Sequence, residues 1–269
     1  MSTPSLRPAA VAGLFYPARA DALADEVARC LRDAPPPHGP APKLIVVPHA
    51  GLAYSGPVAA HAYARLGPAR SRIARVVLLG PVHRVPVRGL AAPTVSAFET
   101  PLGRVPLDRG ALETLRALPQ VAFDDRPHAM EHSLEVQLPF LQTVLGAFAL
   151  VPLAVGDASP GEVAEVLDAL WGGDETLVVI STDLSHHLAY RDAQARDAAT
   201  IARLLACDPT IGPDEACGAA PLDGALVVAR RRGLAPTLLD LRNSGDTAGD
   251  RRRVVGYGAV AFDPPRGAR

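Results

Sequence analysis

A three-layer α/β domain with a mainly parallel central sheet is the fold class that this sequence predicts, and three observations predict it. Strand-like apolar runs alternate with helical patterns along the chain. Several of those runs end in short polar turns that carry His or Asp, the places where open α/β sheets bind ligands. The length of 269 residues and the 48% hydrophobic content are enough for one large core, so residues 1–269 are read as a single domain. A sheet of this kind is covered on both faces, and its strands are apolar throughout.

Leu23, Val27, Cys30 and Leu31 recur at helical spacing and predict a helix near residues 19–32, stopped by Pro35-Pro36-Pro37. Lys43–Val47 predicts the first strand, closed by Pro48-His49-Ala50-Gly51, and Arg75–Leu79 the second, closed by Gly80-Pro81-Val82-His83. Between them, Pro57 is read as a first helical position that opens a helix over Val58–Leu66. A helix is expected over Arg109–Leu118, and a helical pattern through Leu134, Leu138, Leu141 and Leu145, with Pro139 limiting or kinking it. Strands follow at Ala149–Val155 and Thr176–Ser181, helices at Tyr190–Leu205 and Leu222–Arg232, and two β runs at Thr237–Leu241 and Val254–Phe262.

Composition excludes several classes of function. No apolar run approaches the roughly 18 residues of a membrane span, and the first residues lack the pattern of a signal peptide, so the expected compartment is the cytoplasm. The formal charge is -1 and the arginine triplets 230–232 and 251–253 are short, which argues against a nucleic-acid surface. Three widely spaced cysteines form no CxxC pair, so neither a disulfide framework nor a thiolate zinc site is expected. Gly51–Gly56 matches neither a dinucleotide fingerprint nor a phosphate loop. Cys217 is read as a small buried residue in preference to a nucleophile, and His38, His61 and His128 as surface or packing residues.

The chemistry concentrates at strand ends. His49, His83, Asp183 and His186 all occupy such positions, where a single histidine is more often structural but four polar groups in the same topological place indicate a site. Two neutral imidazoles and a carboxylate suit a divalent transition metal, with iron, zinc and copper all compatible. Asp246, exposed by the flexible Gly245, is a candidate third ligand with an equally weighted reading as a turn residue. Asp183 competes for the position, or serves as a carboxylate that orients a histidine. Glu131 and His132 are adjacent and would diverge by about 100° on a helix, so either one of them reaches the cleft or the acidic groups favour a helix start.

These residues lie in ordered motifs that resemble the Memo family, whose bacterial and archaeal branch is called AmmeMemoRadiSam system protein B. The motifs are Ala12–Pro17, Pro48-His49-Ala50-Gly51 with Tyr54-Ser55-Gly56, Gly80–His83, Glu131–Glu135, Ser181–His186 and Asn243–Asp246, and the resemblance covers about residues 7–262. It implies a fold similar to that of the class III extradiol ring-cleavage dioxygenases, which use non-haem Fe(II). By that resemblance His49 and His83 are metal ligands, Asp246 is the third ligand with Asp250 as the neighbouring alternative, and His186 is the acid/base histidine. Asp183, Glu131 and His132 complete the expected catalytic set. The implied cofactor is a divalent metal, Fe(II) before copper or zinc.

Two functional readings follow. One is an iron-dependent, dioxygenase-like oxidoreductase acting on a small aromatic or diol substrate, and the other is a non-enzymatic protein that binds metal, peptide or partners through the same cleft. The family name also implies radical-SAM and AMMECR1-like companion proteins. Neither nucleic acid nor membrane is expected as a partner.

Overall fold

Leu44–Val47, Val76–Leu79 and Leu177–Ile180 are aliphatic runs without a polar break, and each is buried. Only the middle of a sheet covered on both faces offers such runs a place. The computed structural model describes residues 5–265. Along the chain come β1 (Leu6–Arg7), α1 (Ala20–Asp33), β2 (Leu44–Val47), α2 (Leu52–Ala64), β3 (Arg75–Pro81), β4 (Leu90–Ala92), β5 (Ala97–Thr100), β6 (Gly103–Pro106) and α3 (Arg109–Thr114). Then follow β7 (Val121–Phe123), α4 (Arg126–Ala129), α5 (Leu138–Leu145), β8 (Ala149–Val155), α6 (Pro160–Leu170), β9 (Thr176–Ser181) and β10 (His186–Leu188). The last elements are α7 (Tyr190–Leu205), α8 (Ala219–Arg232), β11 (Ala235–Asn243), α9 (Ser244–Thr247) and β12 (Val254–Asp263).

At the centre of the main sheet β2, β9, β3 and β8 run parallel in that order. The chain's last strand, β12, pairs antiparallel with β2 and carries β10 and β11. On the other side β4 pairs antiparallel with β8, and β7 follows it. Helices α1, α2 and α5 pack together, with α2 against β2 and β12, while α6 packs on α8 and α8 on β3 and β9. The expected α/β architecture is therefore present, with antiparallel additions at both sides of its parallel centre. A separate small sheet, β1-β5-β6, was not part of the sequence expectation. Among the described residues no helix is long and apolar enough to cross a membrane.

Three local expectations change. Helix α2 begins at Leu52 and not after Pro57, which lies inside it. The carbonyl that loses its partner belongs to Ala53, which is exposed, so water can take the place of the missing N–H. Pro139 starts α5 in its first turn instead of kinking it, and the residues before it, Glu135–Gln137, form a 3-10 turn. Helix α6 was missed, although Ser159 and Glu162 form a capping box whose spacing is visible in the sequence.

The N-terminal segment is held by a buried charge pair. Arg7 and Glu135 form an ion pair with both side chains inside the protein. Glu135 also accepts from the backbone N–H groups of Ala10 (2.8 Å) and Val11 (3.1 Å) and from the hydroxyl of Tyr16. Arg7 in turn donates to the carbonyls of His128 (2.9 Å) and Glu131 (2.6 Å). Arg7→Met should cost about 3–5 kcal/mol in urea unfolding, because a buried carboxylate would lose its counter-charge. A loss below about 1 kcal/mol would show that the backbone donors suffice.

His128 is a packing residue, as expected, and it is fully enclosed. Its Nε2 lies 3.0 Å from the carbonyl of Ala91, while Nδ1 has no partner among the described residues. Burial pushes its pKa from 6.5 down to about 4, against a smaller upward pull from the Ala91 carbonyl. The unfolded chain then takes up this proton near pH 6.5 while the folded chain refuses it, so stability falls as pH drops from 6.5 to 4, by about 3 kcal/mol from this group. Unfolding free energy measured over that range should fall less steeply in His128→Phe than in the parent. Equal slopes would remove His128 as a cause.

Candidate metal centre

The register of the central strands brings the site together. Val47 pairs with Ser181, and Leu79 with Ile180, so β2, β9 and β3 end at the same level. His49 follows β2 by two residues, Ser181 closes β9 and His83 follows β3 by two residues. The segment from Glu131 to Leu134 approaches from above. It can do so because Gly80 has no side chain, since a Cβ there would stand 2.8 Å from Ser133 Oγ and 3.1 Å from Leu134.

Among the described residues, three ring nitrogens, one each from His49, His83 and His132, lie within 4.8 Å of one another. The ring centroids are 4.5–5.3 Å apart. Hydrogen bonds fix which nitrogen His49 and His83 offer. Ser181 Oγ donates its one proton to the carbonyl of Ser133 (2.6 Å) and accepts from Gln137 (2.8 Å), so its 2.9 Å contact to His49 Nδ1 requires the proton on the ring. Nε2 of His49 is then the nitrogen with a lone pair, and it faces the Cys217 thiol. His83 Nδ1 lies 2.8 Å from Glu131 Oε1, and His132 Nδ1 3.2 Å from the same oxygen. The ionised carboxylate makes the His83 nitrogen a donor and leaves its Nε2, while the His132 ring stands beside the same oxygen without hydrogen-bond geometry.

Glu131 is fully buried and accepts additionally from the backbone N–H groups of His83 (2.6 Å), His132 (2.9 Å) and Ser133 (3.0 Å). Burial acts to raise its pKa, but the His83 imidazole and the backbone donors outweigh it and bring it to about 2. Burial lowers His132 to about 4 and His49 well below 6.5, with the neighbouring imidazoles adding to the effect at His49. Both rings are therefore neutral at pH 7, the state that binds a metal. The donors fit a divalent ion, with the carboxylate hydrogen-bonded to the His83 ring raising its basicity.

The sequence-predicted residues fall into three groups. His49 and His83 lie in the donor set, and His132, expected among the catalytic residues, joins them there. The helical reading of Glu131–Leu134 is corrected: this segment is not helical, so two adjacent side chains can both turn to one point. Asp183 is buried and accepts from the backbone N–H groups of His49 (2.7 Å) and Ala50 (3.3 Å), so it positions the turn that carries His49. Burial raises it to about 7 against those two donors. His186 lines the same cleft as His83.

Asp246 belongs to a different structure. It sits in α9, where one oxygen accepts from the backbone N–H of Asn243 (3.0 Å) and the other from the hydroxyl of Tyr190. Its lone pairs are committed to a capping box, and it is absent from the histidine set. Asp250, the alternative, is paired with Arg252. Cys217, set aside on sequence grounds, lies with Sγ 3.3 Å from His49 Nε2. Burial, then the Asp183 charge, raises this thiol to about 12, so it is protonated and unreactive at neutral pH. No spacing rule could have paired residues 168 positions apart.

Residues 7–261 match the family described as Memo-like protein. The chain belongs to the Memo family. A MEMO1 family protein of Methanopyrus kandleri is 37% identical over 287 residues, covering 95% of this chain and 98% of the relative. One from Thermotoga sp. (strain RQ2) is 34% identical, covering 95% and 99%. Among solved structures, the uncharacterized protein JW3007 from Escherichia coli K12 resembles this Memo-family chain with a TM-score of 0.50 at 15% identity, over 81% of this chain and 98% of the other. That likeness is one of fold.

Metal titration of the purified protein tests the donor set. His49→Ala, His83→Ala and His132→Ala should each weaken uptake of a divalent ion strongly, and Glu131→Gln by about 10–100-fold. Asp246→Ala should leave affinity within about threefold of the parent. A large loss in Asp246→Ala with none in His132→Ala would restore the aspartate as third ligand.

Proposed function

We propose that this Memo-family chain is a metal-dependent oxidoreductase that takes Fe(II) at His49, His83 and His132 and acts on a small aromatic or diol substrate. The observation that carries the reading is the set of three ring nitrogens within 4.8 Å of one another, one of them from His83, which lines an open cleft of 510 Å³. Three neutral imidazoles and the Glu131 carboxylate leave one charge of a dication uncompensated. Bound there, the ion would act as a Lewis acid that favours the ionised form of a substrate hydroxyl.

The residues around the cleft suit that task. His186 is a neutral base at pH 7, since desolvation in the cleft and then the neighbouring His187 hold its pKa below the ordinary value. Its imidazole would take the proton of the substrate hydroxyl and return it to the product. Arg196, paired with Asp214 at 2.7 Å, lines the same cleft and would orient an anionic group. Glu131 and Ser181 would hold the three rings in place while the substrate exchanges, and Asp183 would hold the His49 backbone.

Anaerobic loading with Fe(II), followed by oxygen-uptake measurements with a panel of catechols and aliphatic diols, tests the proposal. Substrate-dependent uptake is expected in the parent, and His186→Gln should keep its iron while losing about 10²- to 10⁴-fold in rate. Parallel loading with copper and zinc identifies the active ion. Full metal occupancy with no uptake for any ion or substrate would favour the non-enzymatic reading, in which the cleft binds a ligand without transforming it.

A further inference from the structure

The cleft has two lobes of opposite character beside the metal centre. The first, of 510 Å³, is lined by His83, His186, His187, Arg196 and Asp214. A second lobe, of 320 Å³, is lined by apolar side chains from two strand ends and one helix: Val82 and Val87 after β3, Val155 at the end of β8, and Ala220 and Pro221 in α8. Pro213 and Cys217 line both lobes. Cys217, shared by both lobes, has its Sγ 3.3 Å from His49 Nε2.

We propose that the second lobe is a specificity subsite for the apolar arm of a small organic ligand whose polar head is held at the three histidines. The inference rests on the metal-centre reading and names the ligand class for it: a head with two oxygen donors joined directly to an aromatic or hydrocarbon arm. Three features support this occupant. The lobe adjoins the open lobe through Pro213 and Cys217, and Val82 in its wall directly precedes the donor His83, so head and arm need no long linker. Asp157 is the one charged residue among the described residues of its lining, and it is exposed, so the remaining wall offers an arm no buried charge to desolvate. Its walls are also stiff. Pro81 and Pro86 fix the chain around Val82, and the backbone of Val87 is tied to Asp157 by a 2.8 Å hydrogen bond, so little order has to be imposed on binding.

Size sets the length of the arm. A cavity of about 150 Å³ accommodates benzene, so 320 Å³ admits a bicyclic ring or a chain of comparable bulk. A longer polymer or peptide would have to leave through the open lobe instead. The expected ligand is thus larger than a simple diol and is asymmetric, ionisable at one end and dry at the other.

Co(II)-loaded protein provides the test, because its visible spectrum reports ligation at the metal while calorimetry reports affinity. The probes are acetohydroxamate, benzohydroxamate and 2-naphthohydroxamate, which share one metal-binding head and differ only in the arm. In the parent, each added ring should tighten binding by about tenfold, with the same spectral change throughout. In Ala220→Phe the new ring fills the lobe, and in Val87→Asp a charge enters it, so in both variants the series should collapse to the affinity of acetohydroxamate. Circular dichroism and Co(II) stoichiometry are read on the same samples, and either variant alone suffices if the other fails to fold. A flat series in the parent, or a gain from added rings that survives both substitutions, overturns the subsite while leaving the metal centre standing. Failure to take up Co(II), or an acetohydroxamate that leaves the spectrum unchanged, overturns the centre and the subsite with it.

Discussion

One buried carboxylate organises this molecule. Glu131 accepts from the imidazole of His83 and from three backbone N–H groups, and the His132 ring lies beside the same oxygen. A charge so deep in the protein is tolerated only when fully hydrogen-bonded, and these four donors meet that demand. They also have a geometric consequence. Residues 131–134 cannot be helical while Glu131 binds its own neighbours' N–H groups, so the chain passes the site as an irregular segment, and this allows His132 to enter the donor set beside its sequence neighbour.

The sheet supplies what Glu131 cannot. Parallel pairing of β2, β9 and β3 ends three strands at one level, which places His49, Ser181 and His83 on a common floor without any of them being close in sequence. Asp183 ties the turn after β9 to the turn after β2 through the N–H of His49. Ser181, with one proton to give and two to accept, decides the tautomer of His49. The site is thus rigid because its supports are either strand ends or fully satisfied buried polar groups, and both resist rearrangement.

The N-terminal segment closes the arrangement from outside the sheet. Arg7 and Glu135 anchor residues 7–16, and Phe15, carried by that segment, packs against His132 with ring centroids 4.6 Å apart and planes tilted by 39°. The buried ion pair therefore does more than join a terminus to the core. It fixes one wall of the third donor, and a loss of Arg7 would be felt at the metal centre as well as in stability. Glu135, four residues after Glu131, performs for the N-terminal loop the same gathering that Glu131 performs for the histidines.

How much of this was legible in the sequence follows from the range of each interaction. Apolar runs and helical spacing are local signals, and they located the main parallel strands and the helices α1, α7 and α8, because burial on both faces or on one stripe leaves its mark in consecutive residues. The strand-end positions of His49 and His83 were legible for the same reason. Short strands such as β4–β7 were not, since three or four residues carry too little pattern to separate a strand from a loop. Asp246 carried two readings because a carboxylate near a glycine looks the same whether it ligates a metal or caps a turn; its neighbours Asn243 and Tyr190 hold it in a capped turn. That His132 stands beside His49 and His83 was not legible, because helical geometry would have turned it away from Glu131. The sequence by itself determined the layered fold and the identity of the chemical groups, which depend on residue type and local period. Which three lone pairs meet, and which carboxylate stands behind them, was decided by the tertiary structure alone, since those contacts join residues up to 83 positions apart whose convergence is set by strand order and by the hydrogen-bond demands of one buried charge.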